Sequence, residues 1–400
     1  MKRKPKRRLQ QLQRRRRKER ENLKMELKER VGSVIEKSTQ ASTQFERWFR
    51  ESWRTVVFMA LLFVALSIGF LMYALSGRAS KETDTYAFDV PAASSTGPLA
   101  ERALDGVLVD ASSTRLLPFG VMVENNIEAW PLSGPAKANL VFEAPVEGSI
   151  TRLFLLFDAS TAVDRIGPVR SARPYYVELA ESIGSLYAHV GGSPASLALI
   201  SKLADFRDLN EFSNGQFFWR SPERSAPHNV YTSTDELRKA AEQKSFVVKD
   251  FRPWEYVDDI ASTQPSEPDV ADIVIPYEGA YKASWHYDPE TRLYTRSQND
   301  VLQKDEDGSV VTARNVVVLL TAARVLDGEG RLDLRTTGSG EARIFHDGKA
   351  SKAFWKRRDG QMMTFESVDG LDVPLARGTT WISFLTSPAA FARVTADTRP

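Results

Sequence analysis

The chain has 400 residues, 42% of them hydrophobic, with 54 Lys and Arg against 52 Asp and Glu and no cysteine. That length supports more than one globular unit with a core of its own. The lack of cysteine excludes disulfides and thiolate metal sites; it permits an oxidising compartment without demanding one. The net charge of +2 hides a polarity, because residues 1–54 hold 19 Lys and Arg against 7 Asp and Glu while the remainder is acidic overall.

In segment 1–54, Leu9, Leu12, Leu23 and Leu27 are scattered among many cations. This reads as a solvated helix or an unstructured arm. Attraction to anionic inner-leaflet lipid, at about 1 kcal/mol per cation near the surface, is the sharper reading. A Lys/Arg run alone is a weak sign of nucleic acid, and no such partner is expected.

Residues 55–75, TVVFMALLFVALSIGFLMYAL, carry no charge over 21 positions. At about 1.5 Å per residue a helix of that length spans roughly 30 Å, the hydrocarbon thickness of a bilayer. A single-pass transmembrane helix is expected. A cleavable signal peptide is the rival, since SGRAS at 76–80 offers small residues after the apolar run. Arg47, Arg50 and Arg54 lie before the segment and only Arg78 and Lys81 close behind it, so the positive-inside bias keeps the N-terminus in the cytoplasm and places the rest outside the cytoplasmic membrane. Residues 76–105, with VPAASSTGPLA, form a flexible tether.

The body is expected to be α+β: an α/β layered domain over 106–250, a linker at 251–270, and a mainly antiparallel β domain over 271–396. Apolar runs at 120–125, 139–144, 151–158 and 185–190 suit buried strands, and 174–183, 193–204 and 233–243 follow helical patterns opened by Pro or Ser. Beyond 270 the texture turns to aromatic and branched residues. There the Asp-Gly pairs at 347–348 and 369–370 signal hairpins.

The stretches LPFGVMVENNIEAWPLSGPAKANLVFEAPVEGSITRLFLLF, GPVRSARPYYVELA, LYAHVGGSPASL and APHNVYTS, with SWHYDPETRLYTR, ARNVVVLL, GSGEARIFHDGKA and GTTWISFL further on, resemble the bacterial DUF3048 family over about 103–390. The resemblance implies an N-terminal domain followed by a separate C-terminal one, and no established activity comes with it. Lipoproteins of that family carry an acylated cysteine, which these 400 residues lack; the helix at 55–75 is expected to anchor the chain instead.

Candidate site residues cluster in the first domain. Arg170 and Arg173 stand before the helix that opens at Pro174, where free backbone N–H groups favour an anion. Gly191, Gly192 and Ser193 repeat the arrangement before Pro194. Each has a plainer reading: the arginines as fasteners to Glu143 or Glu147, the Gly-Gly-Ser-Pro stretch as a tight turn without the lysine of a P-loop. Glu124 and Asn125 end a strand, where α/β folds place ligand groups, and Arg152 opens another. His189 reads as a core histidine, and His228, in a Pro-rich loop, as a ligand contact. His286 and His346 are expected on the β surface, and Trp285, Trp355 and Trp381 in sheet packing rather than sugar stacking.

No metal-ligand spacing and no cofactor motif occurs. Whether the protein is an enzyme stays open at this level. The leading expectation is an extracytoplasmic protein that binds an anionic envelope component, with no protein partner identified. The alternatives are an envelope-polymer hydrolase using Glu143 and Glu147 with help from His228, and a protein-interaction module of the envelope. Ser193, between Gly192 and Pro194, makes a poor nucleophile and no G-x-S-x-G elbow is present.

Overall fold

The computed structural model describes residues 98–114, 117–249, 251, 254–258 and 270–398, together with Met25 and Lys28. The anchor expected at 55–75 and most of the tether lie outside the described residues. Among the described residues no helix is long and apolar enough to cross a membrane.

The strands of the two larger sheets, in chain order, are β1 (Phe119–Glu124), β2 (Leu140–Pro145), β3 (Thr151–Phe157), β4 (Leu186–His189) and β5 (Asp208–Asn210), then β6 (Val270–Ile275), β7 (Ala283–Asp288), β8 (Leu293–Gln298), β9 (Val301–Leu302) and β10 (Thr312–Ala313). They continue as β11 (Asn315–Leu320), β12 (Gly338–His346), β13 (Lys349–Arg357), β14 (Thr364–Ser367), β15 (Thr380–Leu385) and β16 (Thr395–Thr398). The helices are α1 (Pro174–Ile183), α2 (Pro194–Ile200), α3 (Thr234–Gln243) and α4 (Pro388–Ala392). The fold is mixed α/β, with many strands and few helices.

Ten strands form one sheet in the order β14-β13-β12-β11-β15-β2-β3-β1-β4-β5. A second sheet of six runs β9-β8-β7-β6-β16, with β10 on β8. The sequence regions 106–250 and 271–396 meet inside the large sheet. There β15 lies parallel to β2, with Thr380 opposite Leu140 and Ser383 opposite Glu143. A strand buried on both faces gives a continuous apolar run whatever its neighbour, so local pattern does not say which distant strand completes the sheet.

Both faces of the large sheet are covered. Val121, Leu153, Leu155, Val316 and Trp381 pack with Ile273, Trp285 and Tyr294 of the second sheet and with Leu237 and Ala240 of α3. Met122, Phe142, Phe154, Ile344 and Phe384 point the other way, onto Tyr176, Leu179 and Ile183 of α1. This odd-even division follows from the two-residue period of a strand. The alternation in LYTRSQ obeys the same rule, turning Tyr294, Arg296 and Gln298 inward.

The helix starts fall where Pro and Ser place them. Pro174 is the first residue of α1, Ser193 accepts a hydrogen bond from Ser196 N at α2, and Ser233 accepts one from Glu236 N at α3. The hairpin between β12 and β13 turns at Asp347 and Gly348, with φ of 51° and 69°, which an Asp-Gly pair adopts readily.

Candidate functional site

Strands β11, β15, β2, β1, β4 and β5 all run in one direction, since β1 and β2 are both antiparallel to β3. Their carboxyl ends therefore line one edge of the sheet. In open α/β sheets this edge is where ligand groups gather. Most of the sequence-selected residues lie on it, but the structure divides them into three sets.

The first set is internal. Glu143 is wholly buried and receives Arg296 Nη2 at 2.9 and 3.0 Å on its two oxygens, Trp381 Nε1 at 2.9 Å and Thr151 Oγ1 at 2.9 Å. Asn125 belongs to the same network, donating to Thr151 at 2.7 Å and Gln298 at 2.8 Å and accepting from Trp130 Nε1 at 3.2 Å. These groups fasten β2 and β3 to the second sheet. Glu143 has no face toward solvent, so it cannot serve as an acid or base on a substrate, and Asn125 is likewise spent. Trp285, Trp355 and Trp381 are all fully buried.

The second set makes the strand-to-helix turn. Gly191 N donates to Asn210 Oδ1 at 3.0 Å and Ser193 N to Ala172 O at 3.2 Å, so these amides are taken up within the protein. Gly191 has φ of +57°, and a Cβ there would stand 2.7 Å from Phe212 Cε2. Gly192 is crowded by Ser196 Oγ and Ala172 Cβ. This is a close-packed turn rather than a phosphate cradle. His189 is wholly buried, and its ring nitrogens face Gly191 O at 2.6 Å and Asp208 Oδ1 at 2.7 Å.

The third set is polar, charged and reaches solvent. Arg173 grips Glu147 with Nε and Nη2 at 2.7 and 2.6 Å and donates Nη1 to Ala172 O. Burial alone would raise the Glu147 carboxyl; the hydrogen bonds and charge of Arg173 override it and hold the group below its ordinary value. Beside this pair, Arg170 Nε stands 3.2 Å from Glu124 Oε2 while its Nη1 donates to Pro227 O. His228 Nδ1 lies 2.6 Å from the same Glu124 oxygen, and its Nε2 is 3.7 Å from Glu128. Arg170 and His228 keep 23% and 19% of their side chains exposed.

Arg152 differs from its neighbours. It is nearly buried, donates to Ser171 O at 2.8 Å, and pairs with no carboxylate among the described residues. Its pKa falls to about 10, first through burial and then through the charges of Arg173 and Arg170. At the carboxyl ends of β2 and β15, Pro145, Gly148, Tyr277, Leu332, Phe384 and Ser387 also line a cavity of about 300 Å³.

Two further features escaped the sequence reading. His346, expected on the surface, is wholly buried with neither ring nitrogen bonded, and burial lowers its pKa to about 4. It sits at the end of β12 opposite Asn315, and pairing with β11 carries it inside; His286 is exposed as expected, bonded to Asp272. Asp305 is 4% exposed, with Oδ2 accepting from Gly134 N and Ala136 N and Oδ1 unpartnered, and burial raises its pKa to about 7. The inward Arg296 was legible in principle, as a charged residue in phase with Tyr294 and Gln298; no local signal marks Asp305. Among the described residues no cluster of His, Asp and Glu is arranged to hold a metal.

The described residues form a long mixed sheet covered on both faces, with arginines and carboxylates gathered at one carboxyl edge. Residues 104–247 match the description "Protein of unknown function (DUF3048) N-terminal domain", and residues 273–382 match its C-terminal counterpart. The chain belongs to the DUF3048 family. Over 290 residues it is 33% identical to the Bacillus subtilis (strain 168) protein named "Putative lipoprotein YerB", covering 70% of this chain and 85% of that one. The crystal structure of YerB protein from Bacillus subtilis superposes with a TM-score of 0.65 at 32% identity, covering 72% of this chain and 98% of the other.

Proposed function

We propose that this is a membrane-tethered extracytoplasmic protein whose sheet edge binds an anionic component of the cell envelope. The reading is supported by the name of the Bacillus relative, by the uncharged segment at 55–75 and by the asymmetry of Lys and Arg around it. Since these residues hold no cysteine for acylation, the tether in this reading is the helix itself.

The observation that carries the binding role is Arg152. A guanidinium taken out of water with no carboxylate bonded to it costs several kcal/mol, and here the nearby Glu147, whose charge Arg152 feels, gives both its oxygens to Arg173. An incoming carboxylate or phosphate would supply the missing charge, and Arg170, half withdrawn but still exposed, would meet it from the rim. The hydrolase reading loses its pair of carboxylates, because Glu143 is sealed in the core.

The test is retention of the full-length chain, solubilised in detergent, on purified cell-wall material. Arg152→Gln is expected to lower retention at least tenfold without lowering the melting temperature, because it removes a buried charge to which no carboxylate is bonded. Undiminished retention by that variant sinks the proposal. The topology is tested separately: protease added to intact spheroplasts should digest the body and spare a tag at residue 1, and a body protected until lysis would reverse the orientation.

A further inference from the structure

We infer that the anion bound at this edge is carried on a pyranose glycan, whose sugar ring stacks on Phe212. The inference rests on the anion-binding reading and specifies its ligand class.

Phe212 is 73% exposed, the highest value among the large apolar side chains of the described residues. Its position is nonetheless specified. Phe212 N donates to Asn210 Oδ1, the same oxygen that holds Gly191 N, and the ring edge lies over Gly191, where any Cβ would collide with it. An aromatic ring fixed at its base and open on its face is a stacking platform, not part of a core.

The platform is continuous with the cationic rim. Val190 N, one residue before Gly191, donates to Arg170 O, which joins the turn beneath Phe212 to the arginine segment. On the other side Arg220 bridges Glu211 at 2.9 Å and Asn229 at 3.2 Å, tying the residue before Phe212 to the residue after His228. The turn that carries Phe212 is thus tied by hydrogen bonds to the segment of Arg170 and, through Arg220, to the segment of His228, so a sugar on the ring would have charged side chains of both segments along its course. Across strands about 4.8 Å apart, β2 to β5 spans roughly 19 Å, room for several consecutive units rather than a single small anion.

A peptide suits this edge less well. Strand addition needs a free, extended sheet edge, and β5 has three residues before the chain turns away through Glu211–Ser213. A bare phosphate would use the arginines and leave the ring idle.

The test measures binding of detergent-solubilised full-length protein to polygalacturonate, to its fully methyl-esterified form, and to poly(glycerol phosphate), which has charge but no ring. Binding to polygalacturonate at least tenfold tighter than to either control is expected. Phe212→Ala should lose at least tenfold at an unchanged melting temperature, and Phe212→Tyr should retain binding. If Phe212→Ala binds as wild type while Arg152→Gln does not, the glycan inference falls and the anion site stands. Equal binding of poly(glycerol phosphate) also overturns the glycan inference. Equal binding of the methyl ester, or full binding by Arg152→Gln, overturns the anion reading beneath it.

Discussion

Truncating Glu143 tests whether this carboxylate is a fastener or a catalytic group. Glu143→Ala removes the only carboxylate paired with Arg296 among the described residues, and both side chains are fully buried. A guanidinium left alone in a core costs about 3–5 kcal/mol. The stranded Trp381 N–H and Thr151 hydroxyl lie within that range rather than on top of it. Against a total stability of about 5–15 kcal/mol this is a large fraction. The assay is urea unfolding followed by tryptophan fluorescence, since Trp381 and Trp285 lie 4.8 and 5.8 Å from the Arg296 guanidinium. Glu143→Met with Arg296→Met should recover most of the loss, because replacing both charges by apolar groups leaves neither stranded. A loss below about 1 kcal/mol for Glu143→Ala at unchanged denaturant slope would refute the reasoning. A catalytic Glu143 predicts the opposite, a stable but inert protein.

Other outcomes follow from the same physics. The His346 pKa is about 4 in the folded chain against about 6.5 unfolded, so the unfolded state takes up the proton first; the stability it supports at neutral pH is lost between about pH 6.5 and 4, by about 3 kcal/mol, and His346→Phe should flatten that stretch of the stability curve. Asp305 runs the other way: with its folded value raised to about 7 it favours folding at low pH and loses that support as pH climbs from about 4 to 7, so Asp305→Asn should stabilise the protein at pH 8 and change little at pH 4, and an equal shift at both would contradict the assignment. A double-mutant cycle on Arg173 and Glu147 should give a coupling of about 1–2 kcal/mol, and a value near zero would show the bidentate pair to be ornamental. Gly191→Ala should cost at least about 1 kcal/mol through its positive φ, with the displacement of the Phe212 ring by the new Cβ added to it, read as a drop in melting temperature.

The sequence by itself determined the local elements of this protein. Pro174, Ser193 and Ser233 open helices where Pro and Ser must, the apolar runs around 120, 140, 151 and 186 became strands within a residue or two, and Asp347-Gly348 made its hairpin. These are short-range effects, governed by φ restriction, capping and side-chain period. It also made the choice between fastener and ligand visible at Arg170 and Arg173 without settling it. Tertiary structure alone decided that residues from both sides of 251–270 share one sheet, because nothing in a buried strand's own composition names its neighbour. The same long-range pairing sealed Glu143 against Arg296 from 153 positions away, committed Arg173 to Glu147, and left Arg152 with no carboxylate bonded to it among the described residues. A charged residue's role depends on what the fold brings within a few ångströms of it, and that distance is not written in local sequence.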